Sequence, residues 1–171
     1  LRACAYYDVF EQPKLMYQEI QFHPSYCFNT SGFYSNNKAF VLPASDHYLL
    51  AVLNSPLLWW HNWRYLPHMK DEALSPVAFL MEKLPIATPS QAIRAEVEPA
   101  VERLIAITRA NQEARRDTLD WLRTEFGVEA PGQKLEAFAA LDEAAFIEEV
   151  RKRRPKVAGK LSPAALRALR E

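Results

Sequence analysis

A short polar turn lies between aromatic residues in the first quarter of the chain. It consists of Tyr34, Ser35, Asn36, Asn37 and Lys38. Asparagine amides can pair with the edge of an adenine base and a lysine can contact a phosphate, so this turn is a candidate surface for reading a nucleic acid. The alternative is a hairpin turn with a solvated tip and no further function. The residues alone favour the hairpin.

A second candidate surface follows a segment rich in tryptophan. Arg64, Tyr65, His68 and Lys70 come directly after residues 59–63, which contain three tryptophans. Positive charges interleaved with hydrogen-bonding rings can hold a phosphate backbone, and an arginine can also contact guanine. In the alternative interpretation the tryptophans are core residues, and Arg64 and Lys70 simply face water. The residues leave both interpretations open.

Motifs for enzymatic chemistry are absent from the sequence. The four glycines lie far apart, so no glycine-rich turn brings backbone amides close to a nucleotide. No Asp/Glu-x-Lys triplet of the metal-dependent nucleases occurs. His61 and His68 could meet at a metal and Cys27 could act as a nucleophile, but none has partner residues at the required spacing. We therefore expect this chain to be non-catalytic, without a metal or cofactor of its own.

Charge is distributed unevenly although the chain as a whole is neutral, with 21 basic and 21 acidic residues among 171. Residues 1–90 contain six basic and seven acidic residues, residues 91–150 seven and thirteen, and residues 151–171 eight and one. The basic cluster of the last part comprises Arg151, Lys152, Arg153, Arg154 and Lys156. This cluster is either a nucleic-acid contact or a solvated helix end.

The cysteines, the apolar runs and the first residue predict the cellular compartment of the chain and its relation to a longer polypeptide. Cys4 and Cys27 lack the spacing of a disulfide framework or a thiolate metal site, and no apolar run is long enough to cross a membrane. We therefore expect a protein of the reducing cytoplasm. Because the chain begins at Leu1 without a methionine, we also expect it to be a segment of a longer polypeptide.

The aromatic first part predicts an α+β fold, a small antiparallel or mixed sheet with packed helices. The predicted strands are residues 15–22, 27–29 and 38–42. In the first of these, alternation places Met16, Gln18, Ile20 and Phe22 on one face. The predicted helices are residues 47–53, capped by Ser45 or Asp46, and residues 57–65, begun by Pro56. Residues 76–87 predict a strand or an extended edge segment.

The second part predicts a helical region with one long helix over residues 99–126. Pro99 suits its first turn, and Gly127 suits its C-terminal cap. Its apolar stripe contains Val101, Leu104, Ile105 and Thr108, and the polar residues 111–116 argue against a strict coiled coil. Shorter helices are predicted at residues 135–140, 143–153 and 164–170. The fall in aromatic content near residues 85–89 predicts two domains, 1–88 and 89–171.

Four stretches in succession carry a family resemblance. They are PKLMYQEI at 13–20, NTSGFY at 29–34 followed by NNK at 36–38, YLLAVLNSPL at 48–57, and EKLPI at 82–86. In this order and at these separations they resemble the TaqI-like C-terminal specificity domain. This domain is the target-recognition module of adenine-N6 DNA methyltransferases and of fused restriction–modification enzymes.

The resemblance implies a domain that binds double-stranded DNA and selects the sequence to be methylated or cut, while the remaining domains of the parent enzyme perform the reaction. The methyltransferase domain of such enzymes carries an Asn/Asp-Pro-Pro-Tyr/Phe motif, and this chain has no Pro-Pro pair. S-adenosylmethionine, and Mg²⁺ where a nuclease is fused, are therefore expected for the parent chain only. The alternative hypothesis is a protein-interaction module that forms a homodimer through residues 99–126.

Overall fold

The computed structural model describes residues 7–155 and 159–170. Cys4 and Lys156, which entered the sequence predictions, lie outside the described residues. The strands are β1 (Lys14–Gln18), β2 (Cys27–Asn29) and β3 (Ala39–Leu42). The α-helices are α1 (His47–Leu53), α2 (Pro56–Tyr65), α3 (Ala78–Met81), α4 (Gln91–Phe126), α5 (Gly132–Glu136), α6 (Glu143–Arg153) and α7 (Pro163–Ala168). Short 3-10 turns cover Tyr7–Glu11, Lys70–Glu72 and Phe138–Ala140.

The three strands form one antiparallel sheet in the order β2, β1, β3. Leu15 of β1 lies opposite Phe28 on one side and Leu42 on the other, so both outer strands pair with β1. The predicted α+β fold with a small antiparallel sheet is confirmed. The hairpin interpretation of residues 34–38 is wrong, because the segment between β2 and β3 crosses from one edge of the sheet to the other. Its shape must therefore be held by contacts of its own.

β1 is shorter than predicted and buries the opposite face from the one marked by the alternation. Leu15 and Tyr17 are buried, whereas Phe22 is exposed. The chain bends after Gln18, and Gln21 then exchanges two backbone hydrogen bonds with Leu74, at 2.9 and 2.8 Å. Period-two alternation indicates that two faces exist, but it does not say which of them meets the core.

Local capping signals predicted the next two helices correctly. Asp46 and Ser55 accept hydrogen bonds from the amides three residues later, at 3.0 and 3.1 Å, and so begin α1 and α2. The strand predicted over residues 76–87 is wrong, because this segment contains the single helical turn α3. The amides of the last two residues of α3 both donate to the Val77 carbonyl, which brings Met81 into the core.

The longest helix, α4, has 36 residues and begins before the predicted start. The Ser90 hydroxyl accepts the Ile93 amide at 3.3 Å, so Ser90 begins the helix in place of Pro99. Pro99 lies inside α4, where its missing amide removes one intrahelical hydrogen bond. Gly127 ends the helix as predicted, with a φ of 68° and its amide donating to the Arg123 carbonyl at 3.0 Å.

The chain divides into two compact units, of which the first ends at Leu104 and the second begins at Ile105. The start of α4 therefore belongs to the first unit, where Arg94 pairs with Asp46 of the α1 cap at 3.0 Å. Residues 106–117 of α4 are all exposed, and Leu104, predicted in an apolar stripe, is 62% exposed. The domain boundary after residue 88 stays a prediction from composition.

The second unit is helical and has its own apolar core. Its buried residues are Leu122, Phe126, Val128, Leu135, Ile147, Val150 and Leu169. Asp142 and Ser162 begin α6 and α7 by accepting amides three residues later, at 2.7 and 3.1 Å. The turn predicted over residues 135–140 comprises the end of α5 and a 3-10 turn. Among the helices of the described residues, none has the length and hydrophobicity that a membrane span requires.

Candidate nucleic-acid interface

One backbone segment connects the two stretches that the sequence predicted as contact surfaces. The Glu19 amide donates to the Lys38 carbonyl at 2.9 Å, which fixes the first stretch to the end of β1. Two residues later, Gln21 pairs with Leu74, and Leu74 also bridges to His68 of the second stretch. Both stretches are therefore held by the same extension of β1.

The first stretch lines a groove of about 600 Å³ beside β3. The Ser35 hydroxyl donates to the Ala39 carbonyl at 3.2 Å, and the Asn36 side chain accepts the Lys38 amide at 2.9 Å. These two side chains therefore shape the turn. The Asn37 side chain also lines the groove, but it has no hydrogen-bond partner within the described residues. Its amide is consequently the one available to the edge of a base.

Tyr34 supports this loop through the turn that precedes β1. Its ring stacks on Phe10 with the centroids 5.0 Å apart. Its hydroxyl donates to the Glu11 carboxylate and lies 2.9 Å from the Tyr7 hydroxyl. The bond to Glu11 raises the pKa of Tyr34, because ionisation would place two negative charges side by side. The hydroxyl is thus already engaged, which favours a supporting role for Tyr34 over a base contact.

Lys38 is an exposed cation that has an acidic partner. Its ammonium lies 2.9 Å from the Glu19 carboxylate, and its side chain is 68% exposed. An ion pair at such exposure contributes only about 0–1 kcal/mol. A phosphate can therefore replace Glu19 at small cost, and Lys38 stays compatible with the predicted phosphate contact.

α2 presents a mixed apolar and cationic face to solvent. Leu58 is buried, whereas Leu57, Trp60 and Arg64 follow one another along the exposed side at helical spacing. Trp60 is 54% exposed and Trp63 is 36% exposed. The alternative in which the tryptophans are core residues is wrong for these two. Large exposed rings of this kind are typical of surfaces that bind a partner.

Arg64 is held over an aromatic ring. Its guanidinium carbon lies 4.1 Å from the centroid of Trp60, and within the described residues it has no acidic partner. Tyr65 is also exposed, and its ring packs 4.5 Å from that of His61. A guanidinium held over an aromatic ring and without an acidic partner keeps N–H groups that can bind other acceptors. It can therefore donate two parallel hydrogen bonds to a phosphate or to guanine.

His68 and Lys70 occupy the loop that follows α2. The Nε2–H of His68 donates to the Trp63 carbonyl at 2.7 Å, which fixes the ring against the helix end. Lys70 has no acidic partner in the described part of the chain, but Asp71 and Glu72 follow it directly. Both of these residues adopt a positive φ, 60° and 65°, at a cost of about 1 kcal/mol each. Their charges weaken the attraction of Lys70 for a phosphate, so Arg64 is the stronger cation of this stretch.

A buried lysine that the sequence analysis did not single out organises the groove. Lys14 is fully buried at the start of β1, and its ammonium donates to the Asn29 side chain at 3.0 Å and to the Phe10 carbonyl at 2.6 Å. The same Asn29 oxygen accepts the Phe33 amide at 3.4 Å. Lys14 therefore connects the sheet to the loop that carries Asn37. The sequence signal for this role is a charged residue directly before an apolar strand.

Groups that could carry metal or nucleophilic chemistry are dispersed. Across residues 7–155 and 159–170, no three His, Cys, Asp or Glu side chains lie close enough together to hold a metal ion. Partial burial raises the pKa of the Cys27 thiol, which opposes its ionisation to the reactive thiolate.

Fold and surface together define a small α+β recognition module that offers an amide, cations and aromatic rings to a partner. Residues 2–86 match the family model of the TaqI-like C-terminal specificity domain, and this part of the chain belongs to that family. The match confirms the resemblance inferred from the sequence. The match supports the assignment of residues 2–86 as a DNA-specificity domain of the restriction–modification type.

The rest of the chain has a family match of its own. Residues 90–171 match the model described as a domain of unknown function (DUF8810). No curated protein and no solved structure matches the chain significantly.

Proposed function

We propose that the first unit is a non-catalytic module that binds double-stranded DNA and selects the sequence on which a restriction–modification enzyme acts. The family match over residues 2–86 carries this proposal. The exposed groove beside β3 and the cationic face of α2 support it, because base edges are read by amides and phosphates are held by cations.

The candidate contacts have different roles in this proposal. Asn37 reads a base edge, while Ser35, Asn36 and Tyr34 hold its loop in shape. Arg64 contacts a phosphate, assisted by the weaker contacts of Lys38, Tyr65, His68 and Lys70. This division follows from which side chains are already engaged within the chain and which are not.

Two substitutions separate base reading from phosphate binding. Asn37→Ala is expected to relax the sequence choice at one position, at a cost of about 1–3 kcal/mol in discrimination against the wrong base. Arg64→Ala is expected to weaken binding to all sequences alike and to reduce the slope of log affinity against log salt by about 1. Selection from a pool of randomised duplexes measures the first effect, and salt-dependent anisotropy of a labelled duplex measures the second.

A matched control removes a cation elsewhere in the same unit. Lys83→Ala deletes an exposed charge outside both predicted stretches and is expected to leave affinity and sequence choice unchanged. If Asn37→Ala and Arg64→Ala behave like this control, neither residue contacts DNA. If the wild-type chain selects no sequence from the pool, the proposal of target recognition fails.

The proposal places the reaction in other domains of the parent enzyme. In those domains S-adenosylmethionine supplies the methyl group for adenine, and Mg²⁺ serves a nuclease where one is fused. We also propose a cytoplasmic setting, where the chromosome and incoming DNA are both accessible. Addition of residues 1–171 to a parent enzyme that lacks them should restore its sequence-selective methylation, measured as protection of target DNA.

A second candidate function is self-association through α4. Apolar residues recur along this helix at alternating spacings of four and three, which is typical of a helix that pairs with another helix. They are Ile93, Val97, Ala100, Leu104 and Ile107. Leu104 and Ile107 are 62% and 52% exposed. This pattern favours the dimer that was the alternative hypothesis for the helical part.

Light scattering of the chain tests self-association. The wild type is expected to be dimeric at high micromolar concentration, and Leu104→Glu is expected to be monomeric because it places a charge in the apolar seam. Ala106→Glu adds the same charge on another side of α4 and should leave the dimer intact. A wild-type monomer across this concentration range rejects the second function.

A further inference from the structure

The basic residues at the end of the chain fall into two sets. Lys152 and Arg153 both pair with the buried carboxylate of Glu149, at 3.8 and 3.0 Å. Arg170 pairs with Glu143 at 3.0 Å. The remaining basic residues of 151–155 and 159–170 have no acidic partner among the described residues. They are Arg151, Arg154, Lys160 and Arg167.

Three of these four unpaired cations line one cavity. Its volume is about 450 Å³, and its walls are formed by Arg151, Arg154, Gly159, Lys160 and Leu161. Arg154 is oriented within it, because its Nε donates to the Phe126 carbonyl at 3.2 Å and its Nη1 donates to the Gly159 carbonyl at 3.4 Å. A side chain added at Gly159 would meet no atom of the described residues within 4 Å.

The cavity lies at the C-terminal end of α6, and the dipole of this helix compensates only part of the positive charge around it. Cations near a helix C-terminus are favoured by the helix dipole, which is equivalent to about half a negative charge. Arg151, Lys152 and Arg153 lie in the last turn, and the single carboxylate of Glu149 pairs with both Lys152 and Arg153. Arg154 and Lys160 add two further cations beyond the end of the helix, so the charge around the cavity exceeds what the dipole compensates. The site is therefore positive, and a small anion with several acceptor oxygens fits its donors.

We propose that this cavity binds a phosphate group of the DNA backbone, outside the sequence that the first unit reads. The inference rests on the proposed function, since it is that function which supplies DNA as the source of the phosphate. Arg154 presents a guanidinium fixed by two carbonyls, and Arg151 and Lys160 add charge without a competing acid. The second unit thereby contributes affinity that does not depend on sequence.

A pair of double variants with equal charge tests the site. Arg151→Gln with Lys160→Gln removes two cavity cations, while Lys152→Gln with Arg167→Gln removes two cations from outside the cavity. In anisotropy titrations of a labelled duplex, the cavity variant is expected to bind roughly tenfold more weakly and to lose about 2 from the slope of log affinity against log salt. The outside variant is expected to lose less than half of that slope. Equal changes in both variants, or no change in the cavity variant, overturn the proposal.

Inorganic phosphate distinguishes failure of this site from failure of target recognition. With phosphate added to the full chain at constant ionic strength, the amide resonance of Gly159 is expected to shift in the wild type and not in the cavity variant. If the wild type shows no shift, the cavity holds no phosphate, whatever the chain does with DNA. A shift without any effect of the cavity variant on duplex binding overturns DNA as the source. Loss of sequence choice in Asn37→Ala is a separate readout and belongs to the first unit.

Discussion

Burial of a lysine is costly, so its hydrogen bonds must offset the lost hydration. Lys14 donates to three acceptors, the carbonyls of Phe10 and Gln12 and the side chain of Asn29. Because Asn29 also holds the Phe33 amide, the contact that stabilises the sheet also positions the loop between β2 and β3. The most buried charge of the first unit is thus linked, through Asn29, to the loop that carries the candidate contact residues.

Lys14→Met is expected to destabilise the first unit by about 2–3 kcal/mol, since hydrogen bonds from a charged donor contribute about 1.5–3 kcal/mol. Urea unfolding followed by tryptophan fluorescence measures this loss, and hydrogen exchange should show a less protected Phe33 amide. Lys38→Met makes the same change at an exposed ion pair and should cost less than about 1 kcal/mol. Equal small effects of the two substitutions would show that Lys14 does not organise the groove.

At the residue scale, the sequence identified the chemical types of the candidate site but not their engagement. Asn36 and Asn37 are neighbours of the same type, yet one accepts a backbone amide and the other lines the groove without a partner. Lys38 and Arg64 are both exposed cations, yet only Lys38 has an acidic partner. The Asn36 contact is local but depends on the exact shape of the turn, and the partner of Lys38, Glu19, lies on another element, so residue types alone do not predict either contact.

At the element scale, the cap of α1 also anchors the start of α4. Asp46 accepts the Leu49 amide at 3.0 Å and two hydrogen bonds from Arg94, at 3.2 and 3.0 Å. The Arg94 guanidinium lowers the pKa of Asp46 below its usual value, because it stabilises the ionised carboxylate. One side chain therefore joins two helices that are separated by almost fifty residues of chain.

This pair predicts a dependence of stability on pH. Because the pKa of Asp46 is lower in the folded chain than in the unfolded chain, its contribution is complete above about pH 4 and is lost as the pH falls further. Asp46→Asn keeps a side chain that caps α1 and is expected to cost up to about 1 kcal/mol at neutral pH through the lost ion pair with Arg94. Its unfolding free energy should also fall less between pH 5 and about pH 2 than that of the wild type. Asp117→Asn, which removes an exposed carboxylate, is the control. If the unfolding free energies of the wild type and both variants depend equally on pH, the prediction is contradicted.

Element prediction succeeded where the signals are local. Asp46 caps α1 and Pro56 lies in the first turn of α2 as expected, because such signals act within one turn of chain. The strand order and the buried face of β1 were not predictable in this way, since both depend on pairing across the sheet. The early start of α4 is not predictable from Pro99, because proline suits the first turn of a helix better than its interior. Inside α4 the missing hydrogen bond has a cost that the other hydrogen bonds of the helix offset.

At the scale of the whole molecule, α4 runs through the division between two compact units and buries nothing at its middle. Residues 106–117 are exposed on all sides, while each unit has a separate apolar core. Hydrophobic burial is the dominant favourable term in folding, so this middle stretch contributes little to the stability of either core. Each unit is therefore expected to unfold on its own, with α4 as the covalent connection.

Ala110→Pro tests this independence. Proline inside a helix costs about 3 kcal/mol or more, because it removes one hydrogen bond and clashes with the preceding turn. That cost should be confined to the exposed stretch, so circular dichroism is expected to show a loss of about one helical turn.

The unfolding free energy of each core should change by less than about 1 kcal/mol, since distant sites act independently. Trp59, which is half-buried, reports on the first unit and Trp121 on the second, once each is retained as the single tryptophan of its unit. Ala110→Glu, which keeps the helix, is the matched control. Loss of cooperative unfolding in either unit of the proline variant alone would show that the exposed middle of α4 transmits stability between the cores.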